Sequence, residues 1–232
     1  MMDCISVENM RLSDAYTIEN LVPSLVLMGR AARGVYDAVR KHRTGGWDGK
    51  TAVVTGSGNN GGDGFALACI LKEEGFDCTV FVLSPKRSGD SAHYASRAEA
   101  LGVQICDFEE GCLGGFDIAV DCLLGTGFQG SLRPAYAAAI AEINRSGAYT
   151  VCVDINSGMN GDTGEGEQVV FSDLTVTIGF VKQGLVTQAA GNCIKKLVCT
   201  DIGIQLVKKE GILTPETCPD WLDMDVIPAQ TL

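Results

Sequence analysis

The chain has 232 residues, 46% hydrophobic and 20% charged, which is enough for one substantial core and ordinary for a globular α/β domain. Its 29 acidic side chains against 18 basic ones give a net charge of −11, which argues against a nucleic-acid surface, because phosphate contacts need clustered Lys and Arg. Ten scattered cysteines without a CxxC pair and only two histidines speak against a zinc cluster. With no basic-then-apolar leader in MMDCISVENM and no long apolar run, they point to a reducing, cytoplasmic setting.

From about Ser6 to Arg43 the pattern predicts two helices, broken around Val22, Pro23 and Ser24. Strand candidates follow at Thr51–Thr55, Cys78–Leu83, Val103–Cys106, Ile118–Asp121, Thr150–Asp154, Leu174–Ile178 and Lys196–Thr200. Helices are expected at Gly64–Glu74, about Ser91–Leu101 and Pro134–Arg145. Apolar strands alternating with helices imply a mostly parallel sheet covered on both faces, with right-handed crossovers. Residues 1–210 are expected to form one domain. The tail, 211–232, turns to prolines and acids and reads as an extension or the remnant of a linker.

Ligands of open α/β sheets collect at the carboxyl ends of the strands, and three such ends are rich here. After the first strand comes GSGNNGGDG, a glycine turn feeding a helix, whose free amides suit an anion. Gly56, Gly58 and Gly61 fit a dinucleotide fingerprint, but Ser84 stands at the end of the second strand where a ribose-binding acid belongs. Asp63 is also foreign to a plain phosphate cradle. The second loop, Asp121 to Pro134, carries Gly125, Gly127 and Gly130 just before a helix and is the better phosphate seat. The third, Asp154-Ile-Asn-Ser-Gly, places an aspartate at the end of a buried strand, where desolvation can turn it to acid–base use; the plain alternative is a loop-bracing carboxylate. Oxygen ligands Asn60, Asp121 and Ser157 come from these three neighbouring loops and suit a weakly charged hard cation, or else a hydrogen-bonded loop network. Lys182, in GFVKQGL, follows a further strand and reaches the same edge or lies on the surface.

In that order, GSGNNGGDGF, DCLLGTGFQGSLRPAYAAAIAEIN, DINSGMNGDTGEG, GFVKQGL and TDIGI closely resemble the NAD(P)HX epimerase family, the YjeF N-terminal domain, from about Arg11 to Gly203. The resemblance implies a Rossmann-like three-layer αβα sandwich that usually dimerises. It implies interconversion of the R and S epimers of hydrated NADH and NADPH, hydroxylated at C6 of the nicotinamide ring, so that a partner dehydratase can restore both. Matching positions imply substrate contacts at Asn59, Asn60, Gly61, Gly62 and Asp63, at Gly125, Thr126, Gly127, Phe128, Gln129, Gly130 and Ser131, and at Asp154. They imply potassium held at Asn60, Asp121 and Ser157, with Asp154 as the acid–base group and Lys182 assisting it.

Two departures stand out. The family usually has proline where Asn156 stands, which implies a less rigid loop, and LMENAG where this chain has Leu27 to Ala32 as LMGRAA. The competing readings are a non-catalytic YjeF-like dimerising scaffold and a conventional NAD(P)-dependent oxidoreductase. Retention of Asp63, Asp121, Asp154 and Lys182 disfavours the first, and Ser84 disfavours the second.

Overall fold

A computed structural model describes residues 2–214 and 217–228. The elements run β1 (Met2–Ile5), α1 (Val7–Asn20), α2 (Ser24–His42), β2 (Thr51–Thr55), α3 (Asn59–Glu73), β3 (Cys78–Val82), α4 (Gly89–Ala100), β4 (Gln104–Asp107), β5 (Ile118–Cys122), α5 (Pro134–Arg145), β6 (Tyr149–Val153), β7 (Leu174–Ile178), β8 (Val181–Lys182), β9 (Leu197–Thr200), β10 (Gly211–Leu213) and β11 (Met224–Ile227).

Eight strands form one sheet in the order β4-β3-β2-β5-β6-β7-β9-β11, and every neighbouring pair is parallel. Strands β2, β3, β5 and β7 are buried along their whole length; β2, β3 and β5 read as largely apolar runs, whereas β7 (LTVTI) alternates and buries its two threonines as well. Side chains from Val53, Val80, Val120, Val151, Val176 and Val198 pack with α2, α3 and α4 on one face. On the other face, Ala52, Val54, Ala119 and Cys152 pack with Ile140 and Ile143 of α5. The αβα layering is therefore the one the alternating pattern predicts. The order reverses between β2 and β5, and the crevice at that switch point opens between their following loops.

Three departures from the sequence pattern matter for function. The helix after β2 starts at Asn59 rather than Gly64, so the glycine-rich segment is the first turns of α3. Glycine is a poor helix former, and propensity alone would stop the helix short of it. Tertiary packing overrides this: a Cβ on Gly61 would overlap the Gly56 carbonyl, and one on Gly64 would lie 2.9 Å from Cys122 Cβ and from a Thr55 methyl. Secondly, β1, β8 and β10 make a small second sheet in the order β10-β1-β8, which packs with Leu197 and Cys199 over the β9 side of the main sheet. Such short strands are specified by distant partners, not by local pattern. Thirdly, the segment beyond residue 210 is tied into both sheets: β10 pairs with β1, and β11 extends the main sheet beside β9. Residues 215–216 and 229–232 of that tail lie outside the described residues.

Helix α1 is carried across the carboxyl ends of the strands. Ser13 Oγ accepts from the Val207 N–H (3.1 Å), Thr17 Oγ1 accepts from the Gln205 N–H (2.9 Å), and Asn9 Nδ2 donates to the Lys208 carbonyl. Its outer face leaves Leu12 and Tyr16 exposed, as is Leu21 just past its end. No helix among the described residues is long and apolar enough to cross a membrane.

Candidate active site

Asp154 organises the cleft. It follows directly on β6, takes φ +70°, and is the one non-glycine residue with positive φ among the described residues. That conformation costs about 1 kcal/mol and persists only where the surroundings over-determine it. Here the Asp154 N–H donates to the Val176 carbonyl at 2.8 Å. The carboxylate is held from two sides. Lys182 Nζ donates to Oδ1 at 2.5 Å, and the Thr126 N–H donates to Oδ2 at 3.3 Å.

Lys182 is fully buried, placed by the pairing of Ile5 in β1 with Lys182 in β8. Its ammonium also donates to Thr177 Oγ1 (3.1 Å) and to the Ile178 carbonyl (2.7 Å). A lysine has three protons to give, and all three find acceptors. Burial of such an ion is tolerated only when it is fully bonded and paired, so removing either member of the pair leaves an uncompensated charge.

Around this pair lies a cleft of about 740 Å³. Asn59, Asn60 and Asp63 reach it from the start of α3, and Gly125, Thr126, Gly127, Phe128, Gln129 and Ser131 from the loop after β5. Leu27, Met28, Ile178, Ile202 and Ile204 give it an apolar wall suited to a flat ring. Gly61 and Gly62 do not line it: they are buried behind Asn60, packed on the Gly56 carbonyl and on Met28 and Ser91. Gly130 also lies off the lining, with φ +84° in an exposed turn.

Asp121 and Ser157 sit beneath the cleft floor, fully buried. Asp121 accepts from the Ser157 N–H (2.8 Å) and Ser157 Oγ (2.6 Å), from the Leu123 N–H (3.1 Å) and from Cys152 Sγ (3.3 Å). Burial raises its carboxyl above the usual range, and these hydrogen bonds oppose that rise. No lysine or arginine pairs with it among the described residues. Above it, Asn60 Nδ2 donates to the Leu124 carbonyl at 2.8 Å, while Asn60 Oδ1 is buried without a partner among the described residues. A buried acceptor left unmade costs about 1–3 kcal/mol, so it calls for a donor or a cation. One carboxylate, a carbonyl, a hydroxyl and this orphaned amide oxygen make a set suited to a hard ion of low charge. No group of three or more His, Cys, Asp or Glu side chains among the described residues could hold a metal.

Asn156 does not loosen its loop. It is fully buried, its Nδ2 donates to the Val170 carbonyl (2.8 Å) and Ser172 Oγ (3.1 Å), and its Oδ1 accepts from Thr175 Oγ1 (2.6 Å). Hydrogen bonds do here what a proline ring does by fixing φ. In the altered LMGRAA segment of α2, Arg30 Nη1 donates to the Ile202 carbonyl (3.1 Å) and so ties α2 to the apolar wall.

The sequence predicts α1 as a helix but gives no sign that it takes part in the site. Arg11 donates to the Thr126 carbonyl, and Asp14, one turn further on, lines the cleft. Both are polar residues on a helix whose position over the strand ends no local pattern reveals. Burial pushes Asp14 above the usual carboxylate range, Asp154 adds to the rise and Lys182 opposes it. Burial pushes Asp63 well above that range, with Asp154 and Asp14 adding and Lys182 opposing.

A parallel sheet whose switch point carries the start of α3 and an open glycine loop, facing a buried Asp–Lys pair, defines an α/β protein with an acid–base group in its strand-end cleft. Residues 24–184 match the family described as YjeF-related protein N-terminus, and the chain belongs to that family. Among curated relatives, an NAD(P)H-hydrate epimerase of Limosilactobacillus fermentum is 37% identical over 209 residues, covering 86% of this chain and 97% of that one. An NAD(P)H-hydrate epimerase of Rhodopirellula baltica is 34% identical, covering 87% and 85%. A bifunctional NAD(P)H-hydrate repair enzyme Nnr of Archaeoglobus fulgidus is 36% identical; the match covers 88% of this chain but 42% of that protein. The crystal structure of yeast ynu0, YNL200c, superposes with a TM-score of 0.74 over 93% of this chain and 98% of that one; at 20% identity it supports the fold.

Proposed function

We infer that this chain is an NAD(P)H-hydrate epimerase, an isomerase that interconverts the R and S forms of hydrated NADH and NADPH in nicotinamide nucleotide repair. The observation that carries the reading is the buried Lys182–Asp154 pair, opening on a cleft whose loops carry the family's motifs. The hydrated ring bears a hydroxyl on C6, next to the ring nitrogen. Breaking the C6–O bond lets the nitrogen lone pair form a planar cation, and water returning on either face gives either epimer. Such a step needs a proton donor and acceptor at the oxygen and negative charge near the cation.

Asp154 suits the acid–base role, because its strained backbone aims the carboxylate into the cleft while Lys182 and the Thr126 amide fix its orientation. The amides of Gly125, Gly127, Gln129, Gly130 and Ser131, which make no hydrogen bond among the described residues, suit the phosphates, and the apolar wall suits a base or the reduced ring. Asn60 Oδ1, the Leu124 carbonyl, Asp121 and Ser157 would hold potassium, which would supply positive charge beneath the phosphate-facing loop; the orphaned Asn60 oxygen supports this. Exposed Leu12 and Tyr16 on α1, with Leu21 just past its end, support a homodimer, and ten free thiols support a reducing cytoplasm. A dehydratase acting on one epimer is the functional partner, as the bifunctional relatives suggest.

The test supplies purified protein with a single NADHX epimer and follows the epimer ratio by chromatography. Equilibration well above the spontaneous rate is expected. A ratio that drifts only at the spontaneous rate would move the chain to the scaffold reading.

A further inference from the structure

Amides can seat a phosphate only if the backbone that carries them points one way, and few contacts hold the loop after β5. The Phe128 N–H donates to the Gly125 carbonyl at 3.0 Å, closing a turn with Thr126 and Gly127 at its centre. Across residues 125–132, two side chains alone bond the loop among the described residues. Asp154 accepts from the Thr126 N–H, and Arg11 Nη2 donates to the Thr126 carbonyl.

That carbonyl belongs to the central peptide of the turn, whose other end is the Gly127 N–H. A trans peptide is planar, so its carbonyl and N–H point opposite ways, and fixing one aims the other. Turning this peptide over would exchange a type I turn for a type II turn, which demands positive φ at the third residue. Gly127 accepts either sign, and here its φ is not positive. Nothing lies within 4 Å of a Cβ built on Gly127, so packing does not choose between the two orientations.

We propose that Arg11 is a positioning residue that locks the Thr126–Gly127 peptide in one of its two orientations and so aims the Gly127 N–H at a phosphate of the substrate. The proposal rests on the epimerase reading above, which supplies the nucleotide. Three basic residues line the cleft, and Arg11 alone bonds this loop. Lys182 is engaged by Asp154, Thr177 and Ile178, and Arg133 makes no side-chain hydrogen bond among the described residues. Helix α1 keeps Arg11 in place. Buried Asn9, Ser13 and Thr17, four residues apart, form a polar stripe that bonds the backbone of Lys208, Val207 and Gln205. Helical spacing puts Arg11 on the opposite side from this stripe, so the helix is fastened on one side and presents Arg11 from the other. Without Arg11 the peptide turns over, and apparent affinity falls with the fraction of molecules whose amide faces the ligand. Asp154 keeps its bond to Lys182, so the chemical step is retained.

The test is a double-mutant cycle on Arg11→Ala and Gly127→Ala, read as KM and kcat for a single NADHX epimer. Arg11→Ala should raise KM about tenfold, with kcat within about threefold of wild type. Alanine at 127 resists positive φ and holds the turn unaided, so in the Gly127→Ala background Arg11→Ala should raise KM less than about threefold. The nuclear Overhauser signal between Thr126 Hα and the Gly127 amide proton, weak in a type I turn and strong in type II, is read on the protein without nucleotide. It should strengthen in Arg11→Ala and weaken again in the double variant. An unchanged KM in Arg11→Ala, or a fall in kcat with KM unchanged, overturns the proposal. An equal rise in KM in both backgrounds also overturns it, because it marks direct contact between Arg11 and a phosphate. An unchanged Overhauser signal does so without any substrate. Wild type that does not epimerise NADHX overturns the epimerase reading instead, and the Overhauser signal still decides whether Arg11 holds the turn.

Discussion

The two glycine-rich segments after β2 and β5 look alike in sequence and do opposite things. In the first, Gly61 and Gly64 are glycine because the Gly56 carbonyl just after β2, and the side chains of Thr55 in β2 and Cys122 in β5, fill the space where a Cβ would go. The segment is helix, and its glycines let α3 lie against the sheet so closely that Asn60 can bond Leu124 across the crevice. In the second, nothing lies within 4 Å of a Cβ built on Gly127 or Gly130, and the loop is held at few points: by Asp154 at Thr126 N–H, by Arg11 at its carbonyl, and by Ser157 at Leu124 N–H. One glycine cluster packs and the other presents its backbone. Two loops that both read from sequence as anion seats are thus a packed helix start and an open, tethered loop.

Substitutions can break or sharpen that contrast. The largest effect is expected at the tether itself. Asp154→Asn removes the acid–base group and leaves Lys182 buried without its counter-ion, so kcat/KM for epimerisation should fall about 10³-fold in the single-epimer assay. Full activity in a folded variant would remove Asp154 from the chemistry. Gly61→Ala should cost about 3 kcal/mol in denaturant unfolding, because a backbone carbonyl cannot move aside as a side chain can. A near-neutral result would mean α3 does not pack as described. Replacing potassium by tetramethylammonium should lower kcat about tenfold, and only potassium should raise the thermal midpoint as its concentration increases. Equal midpoints in the two salts would leave the Asn60 oxygen unexplained.

A smaller effect separates fold from function at Asp63, which faces Asp154, Asp14 and Lys182. Its carboxyl is held well above the usual range, so the folded state keeps a proton that the unfolded chain gives up. The stability from that proton is present at low pH and is lost as pH rises through the folded value. Asp63→Asn does not titrate, so at neutral pH it should melt about 3 °C above wild type, with the gap closing toward acid. A gap that widens toward acid would reverse the sign and refute it. Least of all, Gly127→Ala should change stability by less than about 0.5 kcal/mol while raising KM, since the loop is open to solvent and touches ligand rather than core. Substantial unfolding at Gly127 would erase the distinction between the two segments.

Much of this protein was legible from its residues. Largely apolar runs at β2, β3 and β5, with helical periods between them, specify a parallel sheet covered on both faces, because such strands must hide both sides from water. The three strand-end loops and the acids within them were legible for a related reason: the carboxyl ends of parallel strands are where an open α/β sheet leaves backbone groups for a ligand. Other features needed the third dimension. Propensity could not start α3 at Asn59, since only the close approach of β2 and β5 makes glycine the right residue inside a helix. Lys182 reads as a surface lysine until β1 pairs with β8 and buries it against Thr177 and Asp154. Asn156 reads as a loosened loop until its amide is seen bonded on both sides. Asp14 has no local mark at all, because it meets the cleft only when α1 is tied across the strand ends through Ser13 and Thr17. Local sequence determined the sheet, the helices and the chemistry carried at its edge, through burial and periodicity that act over a few residues. Tertiary contacts, from a few positions apart (Lys182 with Thr177) to nearly two hundred (Ser13 with Val207), decided which side chains lose water and face one another, and the acid–base character of the site depends on that loss.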